Sequence, residues 1–258
     1  MTIEACAQLV ERGDPDRHAV TRAAAPAAQA RLWPLYALNL EVARAPWVTQ
    51  EPMIAEMRLQ WWREAVEEIA AGKAPRAHEV AAPLAAVMRD AALPVKLLDA
   101  MIAARRWDIY RDPFDDAAAL FAHLDATAGN LMWLAALALG APAAAEGPVR
   151  DFARGAGLAA WLRAVPELEA RGRTPLPDPE PQAVTALARQ GLEDVARARA
   201  RRRQVPREAL PALLTGWEAG AVLKLAARQP ERVARGALGR AEFGRRGGLM
   251  LRAVSGRW

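Results

Sequence analysis

The chain has 258 residues, 35 Lys+Arg against 30 Asp+Glu, and a single cysteine, Cys6. That length buries a core sufficient for one domain, and a lone cysteine excludes an internal disulfide framework and a thiolate metal site. Acids in the first twenty residues exclude a secretory signal, and the apolar run at 131–145, broken by Gly140 and Pro142, is shorter than the ~20 residues a spanning helix needs, so the expectation is a cytoplasmic protein.

Alanine, leucine and arginine dominate and strand-forming runs are nearly absent, which predicts helix throughout. In chain order the pattern predicts helices over 26–45, 52–72, 80–92, 94–109, 117–140, 148–165, 180–203, 208–228 and 230–237. In the second of these, Ile54, Met57, Trp61, Trp62, Ala65, Val66 and Ile69 form a broad apolar stripe, with Pro52 in the first turn and Gly72 at the end. The run at 131–145 reads as a helix buried on all sides. The segment EARGRTPLPDPEP, 169–181, is the most loop-like internal stretch, with four prolines and a glycine, yet one apolar core can extend across it. The architecture expected is all-α, one domain over 1–258, with basic C-terminal helices from 196 to 258 inside it.

Two carboxylates at i and i+4 are the economical helical way to present oxygen ligands to a divalent metal. Glu64 with Glu68 and Asp108 with Asp112 have that spacing. The glutamates lie on the polar face of their helix, and Pro113 ends the helix beside Asp112, so neither pair is assigned a metal. His18, His78 and His123 are far apart, no Gly-x-Ser-x-Gly occurs, and no glycine-rich phosphate loop follows a strand.

Three stretches together resemble the squalene and phytoene synthase family of all-helical head-to-head prenyltransferases: ARLWPLYALNLEVARAPWV at 30–48, FAHLDATAGNLMWLAALALGA at 121–141, and GLAAWLRAVPELEARGRTPLP at 157–177. The resemblance covers about residues 14–228 and implies an isoprenoid-synthase-like helical bundle around a central cavity. In the first stretch Tyr36, Ala37 and Glu41 match the family pattern, but Ala43, Arg44 and Trp47 hold its aspartate positions. The second contains an Ala-Gly step at Gly129 that would line the cavity. In the third, Arg163 and Glu167 match, Ala164 and Leu168 replace the paired aspartates, the upstream Asn position falls near Ala160, and Pro166 is expected to stop or kink the helix. Asp108 matches an acidic position of the central helix.

The resemblance therefore implies a vestigial pocket of Tyr36, Glu41, Arg44, Asp108, Gly129, Arg163, Glu167, Arg171 and Arg173, with no catalytic residue and no metal ligand assigned. Arg44, Arg163, Arg171 and Arg173 are left to bind phosphate without metal. The segments EPMIAEMRLQWWREAVEEI and LRAVPELEARGRTPLP resemble the branch that includes a mitochondrial complex I assembly factor. On that ground the expected function is a non-catalytic assembly factor for a membrane respiratory complex, with that complex's subunits or assembly intermediates as partners and no cofactor. Two alternatives stand beside it: a prenyltransferase with an altered site that still uses magnesium, and a binding protein for an isoprenoid or anionic lipid.

From Ala196 onward 15 Lys+Arg stand against 4 Asp+Glu, so this quarter carries +11 while the remainder carries −6. Arginines at this density suit membrane phosphates or an acidic partner, or form a solvated helix end; the lack of interleaved aromatics argues against nucleic acid. Arg197, Arg201, Arg202 and Arg203 are the expected contacts, with Leu249, Met250, Leu251 and Trp258 inserting at the inner face of the membrane.

Overall fold

Proline is the first residue of four helices, at Pro15, Pro26, Pro52 and Pro181, where its missing N–H costs no helical hydrogen bond. A computed structural model describes residues 2–49, 51–239 and 258. Its α-helices are α1 (Ile3–Gly13), α2 (Pro15–Arg22), α3 (Pro26–Arg44), α4 (Pro52–Ala70), α5 (Ala81–Asp90), α6 (Val95–Ala103), α7 (Trp107–Tyr110), α8 (Ala117–Leu124), α9 (Asn130–Ala138), α10 (Glu146–Ala170), α11 (Pro181–Ala200), α12 (Leu210–Leu214), α13 (Ala219–Arg228) and α14 (Glu231–Ala234). No strand occurs among the described residues, and none of their helices is long and apolar enough to cross a membrane.

The core is organised around α3, α9 and α10. Residues 32–40 of α3 are buried on every face, and α9 is almost wholly buried, as the apolar run predicts. The most extensive pairing joins α10 to α11, with α13 packed on both, while α1 lies on α3 and α4 on α6. The α10–α11 approach is close because glycines meet there: a methyl at Gly155 would sit 2.6 Å from Val195 Cγ2 and 2.8 Å from the Gly191 carbonyl oxygen.

Several elements differ from expectation. The helices α1 and α2 were not foreseen, although Asp14 caps α2 by accepting from the Arg17 N–H ahead of Pro15. The stretch 94–109 contains a 3₁₀ turn at Ala104–Arg106, and 117–140 contains a π-helical turn at Asp125–Gly129. The stretch 208–228 divides into α12 and α13. Pro166 does not stop its helix: α10 runs on to Ala170, with Leu162, Val165 and Leu168 anchoring the turns on either side. On α4 the buried face is Ala55, Leu59, Trp62, Ala65 and Val66, so Ile54 and Met57 project outward instead of belonging to the core stripe.

Candidate functional site

Helix α3 presents Asn39 and Ala43 on one face, and Trp47 follows in the 3₁₀ turn at its end; α10 presents Ala160, Ala164 and Leu168 at the same four-residue interval. Both rows line one cavity of about 330 Å³, closed by Leu124, Thr127, Ala128, Leu131, Gly157 and Trp161 and edged by Arg17, Arg105, Asp108, Glu167 and Arg171. Four of the positions where the resemblance places aspartates, now Ala43, Trp47, Ala164 and Leu168, therefore do face a common space. An apolar extension of about 90 Å³ runs inward past Tyr36, Met132, Ala153, Ala156 and Gly216, sharing Arg17, Ala128, Leu131, Gly157 and Ala160 with the main chamber. Outside lies a basin of about 590 Å³ lined by Thr49, Pro52, Tyr110, Arg111 and Arg173 among others, and Trp47 and Arg171 are common to basin and chamber.

Cations dominate the polar lining. The Arg105 guanidinium lies 3.9 Å from the Asp108 carboxylate and donates to Asn39 Oδ1 at 3.1 Å, while Arg173 donates to the Asp108 backbone carbonyl. Burial pushes the Asp108 carboxyl above the ordinary range, opposed by Arg105, Arg173 and Arg171. Burial also lowers the pKa of Arg105 and of Arg173. Arg17 pairs with Asp14 at 3.0 Å and lies 5.1 Å from the centre of the Tyr36 ring. Five buried polar atoms around this space have no partner: Arg17 Nε, Arg105 Nε, Arg173 Nε and Nη1, and Tyr36 Oη. Trp47 carries two guanidiniums against its ring, Arg173 at 4.6 Å and Arg171 at 4.7 Å from the centroid.

The expected pocket residues divide into two groups. Tyr36, Asp108, Glu167, Arg171 and Arg173 converge on the connected spaces, with Glu167 bonded to Arg171. The others do not. Glu41 faces His78 at 3.8 Å, Arg44 is solvent-exposed, and Arg163 pairs with Glu218 at 3.4 Å. Gly129 abuts Asp125 and Arg150 rather than the chamber, which its neighbour Ala128 lines instead. Helical phase explains these corrections, since one residue's step turns a side chain by about 100°. Sequence reading missed Arg17, which lies in an unforeseen helix, and Arg105, whose i,i+3 relation to Asp108 in RRWD was an available signal.

The arginine-rich segment is partly engaged within the protein itself. Arg197 and Arg201 pair with Asp151, and Arg197 also with Asp194, so they belong to the α10–α11 seam. Arg202 and Arg203 are exposed. Trp258 is 5% exposed, its ring centroid 4.7 Å from that of Phe152 and its carbonyl accepting from Arg199 Nε, which opposes insertion into a bilayer. Leu249, Met250 and Leu251 lie outside the described residues.

The family implied by the resemblance uses magnesium, and the donors here do not fit it. Asp108 and Glu167 are the carboxylates of the chamber, each engaged by arginine, and no group of three or more His, Cys, Asp or Glu suited to a metal occurs among the described residues. Glu64 and Glu68 both pair with Arg76, at 2.9 and 2.7 Å, while Arg111, at φ 64°, turns the chain between buried Asp108 and exposed Asp112.

No curated protein matches the sequence. Among solved structures, a dehydrosqualene synthase in complex with a ligand superposes with a TM-score of 0.81 at 13% identity, covering 98% of this chain and 95% of that one. The squalene synthase HpnC from Alicyclobacillus acidocaldarius superposes with a TM-score of 0.73 at 15% identity, covering 89% of this chain and 94% of that one. These likenesses establish the all-α isoprenoid-synthase fold. Residues 10–246 match the squalene/phytoene synthase family, and with the match extending over nearly the whole chain, the protein belongs to that family.

Proposed function

We propose that this protein is a non-catalytic member of the squalene/phytoene synthase family. The observation that carries this reading is the lining of the chamber: Ala43, Trp47, Ala164 and Leu168 point into it where carboxylates would hold metal, and the two carboxylates that remain are paired with arginines. Diphosphate departure needs electrostatic activation, and loss of one such element typically costs ~10²–10³ in rate. Arginines neutralise charge but do not supply a Lewis acid. The test is product analysis with farnesyl or geranylgeranyl diphosphate and magnesium. The expected result is no condensed product and no diphosphate release above buffer; turnover that Arg173→Gln removes would establish the prenyltransferase alternative.

The role proposed for such a scaffold is assembly of a membrane respiratory complex, complex I. Beyond the QWWRE resemblance, its support is apolar exposure. Val48, Met53, Ile54 and Met57 project from the start of α4 and the turn before it, and Tyr110 borders the basin that Pro52 and Ala55 line. Exposed apolar side chains grouped in this way suit a protein client. Deleting the gene should lower assembled complex I and NADH oxidation, and the double variant Met53→Ser, Met57→Ser should do the same with the fold intact. Unchanged complex abundance in the deletion would dispose of this role.

A further inference from the structure

Three guanidiniums converge at the outer basin. Arg171 and Arg173 stack on Trp47, and Arg111 lies over the glycine between them, where a Cβ at Gly172 would come 3.7 Å from Arg111 Nη1. Arg111 holds φ 64°, a conformation that favours glycine, so the backbone bears strain at the residue that brings in the third charge. Glu51 is the carboxylate in the basin's lining, and Arg171 is already offset by Glu167. Arg173, 7% exposed, gives Nη2 to the Asp108 carbonyl and leaves Nε and Nη1 buried without an acceptor. Buried cationic N–H groups cost stability until an acceptor meets them. Burial chiefly, then repulsion from Arg111, lowers the Arg173 pKa, and an arriving carboxylate would offset that repulsion.

Apolar surface adjoins these donors. Val48, Met53, Ile54, Met57 and Tyr110 are five of the six large apolar side chains exposed among the described residues, the sixth being Ile3. Met53 and Met57, 75% and 65% exposed, stand one turn apart on the helix whose Pro52 and Ala55 line the basin. Such grouping marks an interaction site, and arginine, methionine and aromatic side chains are the types that interfaces favour. At about 590 Å³ the basin lies within the ordinary range of ligand clefts, ~300–1,000 Å³, so it admits side chains of a segment and not a folded domain. Arg173 lies too deep to meet the flat surface of a bilayer, and a free phosphate would leave the methionines uncovered.

We propose that the basin and its methionine rim dock an acidic, amphipathic segment of a protein partner. A carboxylate of the segment enters the basin to Arg111 and Arg173, and its apolar face covers Met53, Ile54 and Met57. The proposal rests on the assembly reading, for which it names the chemistry of the client at this surface.

A phage-displayed library of short random peptides tests this, selected on the purified full chain and counter-selected on the same chain carrying Arg111→Gln, Met53→Ser and Met57→Ser. The enriched peptides should carry Asp or Glu beside apolar residues at i, i+3 and i+4 spacing, and their synthetic forms should bind one per chain by fluorescence anisotropy. Affinity should fall at least about tenfold in Arg173→Gln, and at least about threefold in Arg111→Gln and in the double variant Met53→Ser, Met57→Ser. Salt should weaken binding to the parent more steeply than to Arg111→Gln. Melting temperatures without peptide report on folding, and the exposed positions 53, 57 and 111 carry the test should Arg173→Gln unfold. Inorganic phosphate and phosphatidylglycerol vesicles should each bind at least about tenfold more weakly than the peptides. Enrichment of neutral or basic peptides, equal affinity for parent and Arg111→Gln, or tight vesicle or phosphate binding with no acidic peptide enriched would overturn the proposal. Acidic peptides that bind as expected while gene deletion leaves complex I unchanged would uphold the docking site and remove the assembly role. Loss of complex I on deletion with no acidic peptide enriched would remove the docking site and keep the role.

Discussion

Trp47 and Arg173 meet ring to guanidinium, 4.6 Å from centroid to carbon, and Arg171 lies 4.7 Å from the same ring. The position that the family pattern reserves for an aspartate thus holds a residue that attracts cations without carrying charge. The ring lines both basin and chamber. Trp47→Ala should lower stability by about 2–4 kcal/mol, combining lost packing with two cation–π contacts, and Trp47→Phe should recover more than half of it. Urea denaturation of the three proteins measures this. A Trp47→Ala protein as stable as the parent would mean that the stacked pair contributes nothing.

The α10–α11 seam makes a second prediction. A methyl at Gly155 has to displace Val195 or the backbone of α11 at Gly191, whereas alanine in a helix would otherwise gain about 1 kcal/mol over glycine. Overpacking of this kind costs typically about 1–3 kcal/mol, so Gly155→Ala should be net destabilising, with the urea m-value unchanged. A rise in stability would show that the helices can part without cost.

How much of this was legible depends on which physical signal each feature leaves in sequence. The all-α architecture and the limits of α3, α4 and α11 follow from proline at the first turn and uninterrupted helix formers, which are local signals. The rotation of α4 was misjudged because Met57 and Ile54 are apolar but unpartnered, and hydrophobicity alone does not say which apolar residues find a partner. Alignment to the family pattern placed Ala43, Trp47, Ala164 and Leu168 correctly on the cavity, since helical phase carries over with the motif. It failed for Arg44 and Arg163, whose matching positions point elsewhere, and for Arg17 and Arg105, which reach the chamber from elements outside the three motifs. The fate of Arg197 and Arg201 was illegible for a different reason: charge density says nothing of whether a carboxylate waits on the neighbouring helix.

Those arginines lead to a third prediction. Asp194, its side chain 3% exposed, pairs with Arg197 and lies 3.6 Å from Arg154, while Asp151 engages Arg154, Arg197 and Arg201. Removing the most buried member takes one carboxylate from Arg154 and Arg197, which both keep Asp151, so Asp194→Ala should cost about 1–3 kcal/mol. Arg197 and Arg201 are about half exposed, and screening limits each alanine variant to about 1 kcal/mol or less. Sedimentation with anionic vesicles should not distinguish Arg197→Ala from the parent. Loss of vesicle binding with stability unchanged would return Arg197 to a membrane-contact role.

The last prediction concerns acid. The His123 ring lies among Trp107, Phe114 and Trp161, with centroids 5.7, 5.4 and 5.2 Å away, and its Nε2 is buried without a partner. Burial chiefly, with repulsion from Arg105, lowers its pKa from 6.5 to about 3, so the folded protein holds the imidazole neutral across the physiological range. Above the unfolded value of 6.5 both states are neutral and His123 has no effect on the pH dependence. As pH falls below 6.5 the unfolded chain takes up a proton that the folded chain refuses, and stability declines progressively until the folded pKa is reached. Between pH 6.5 and pH 5 the loss should approach about 2 kcal/mol, at about 1.4 kcal/mol per pH unit. The variant His123→Leu, which keeps an apolar side chain among the aromatics and cannot titrate, should lose less stability over that interval. Equal slopes for parent and variant, measured by urea denaturation at each pH, would show that His123 protonates in place and that the aromatic surround does not exclude its charge.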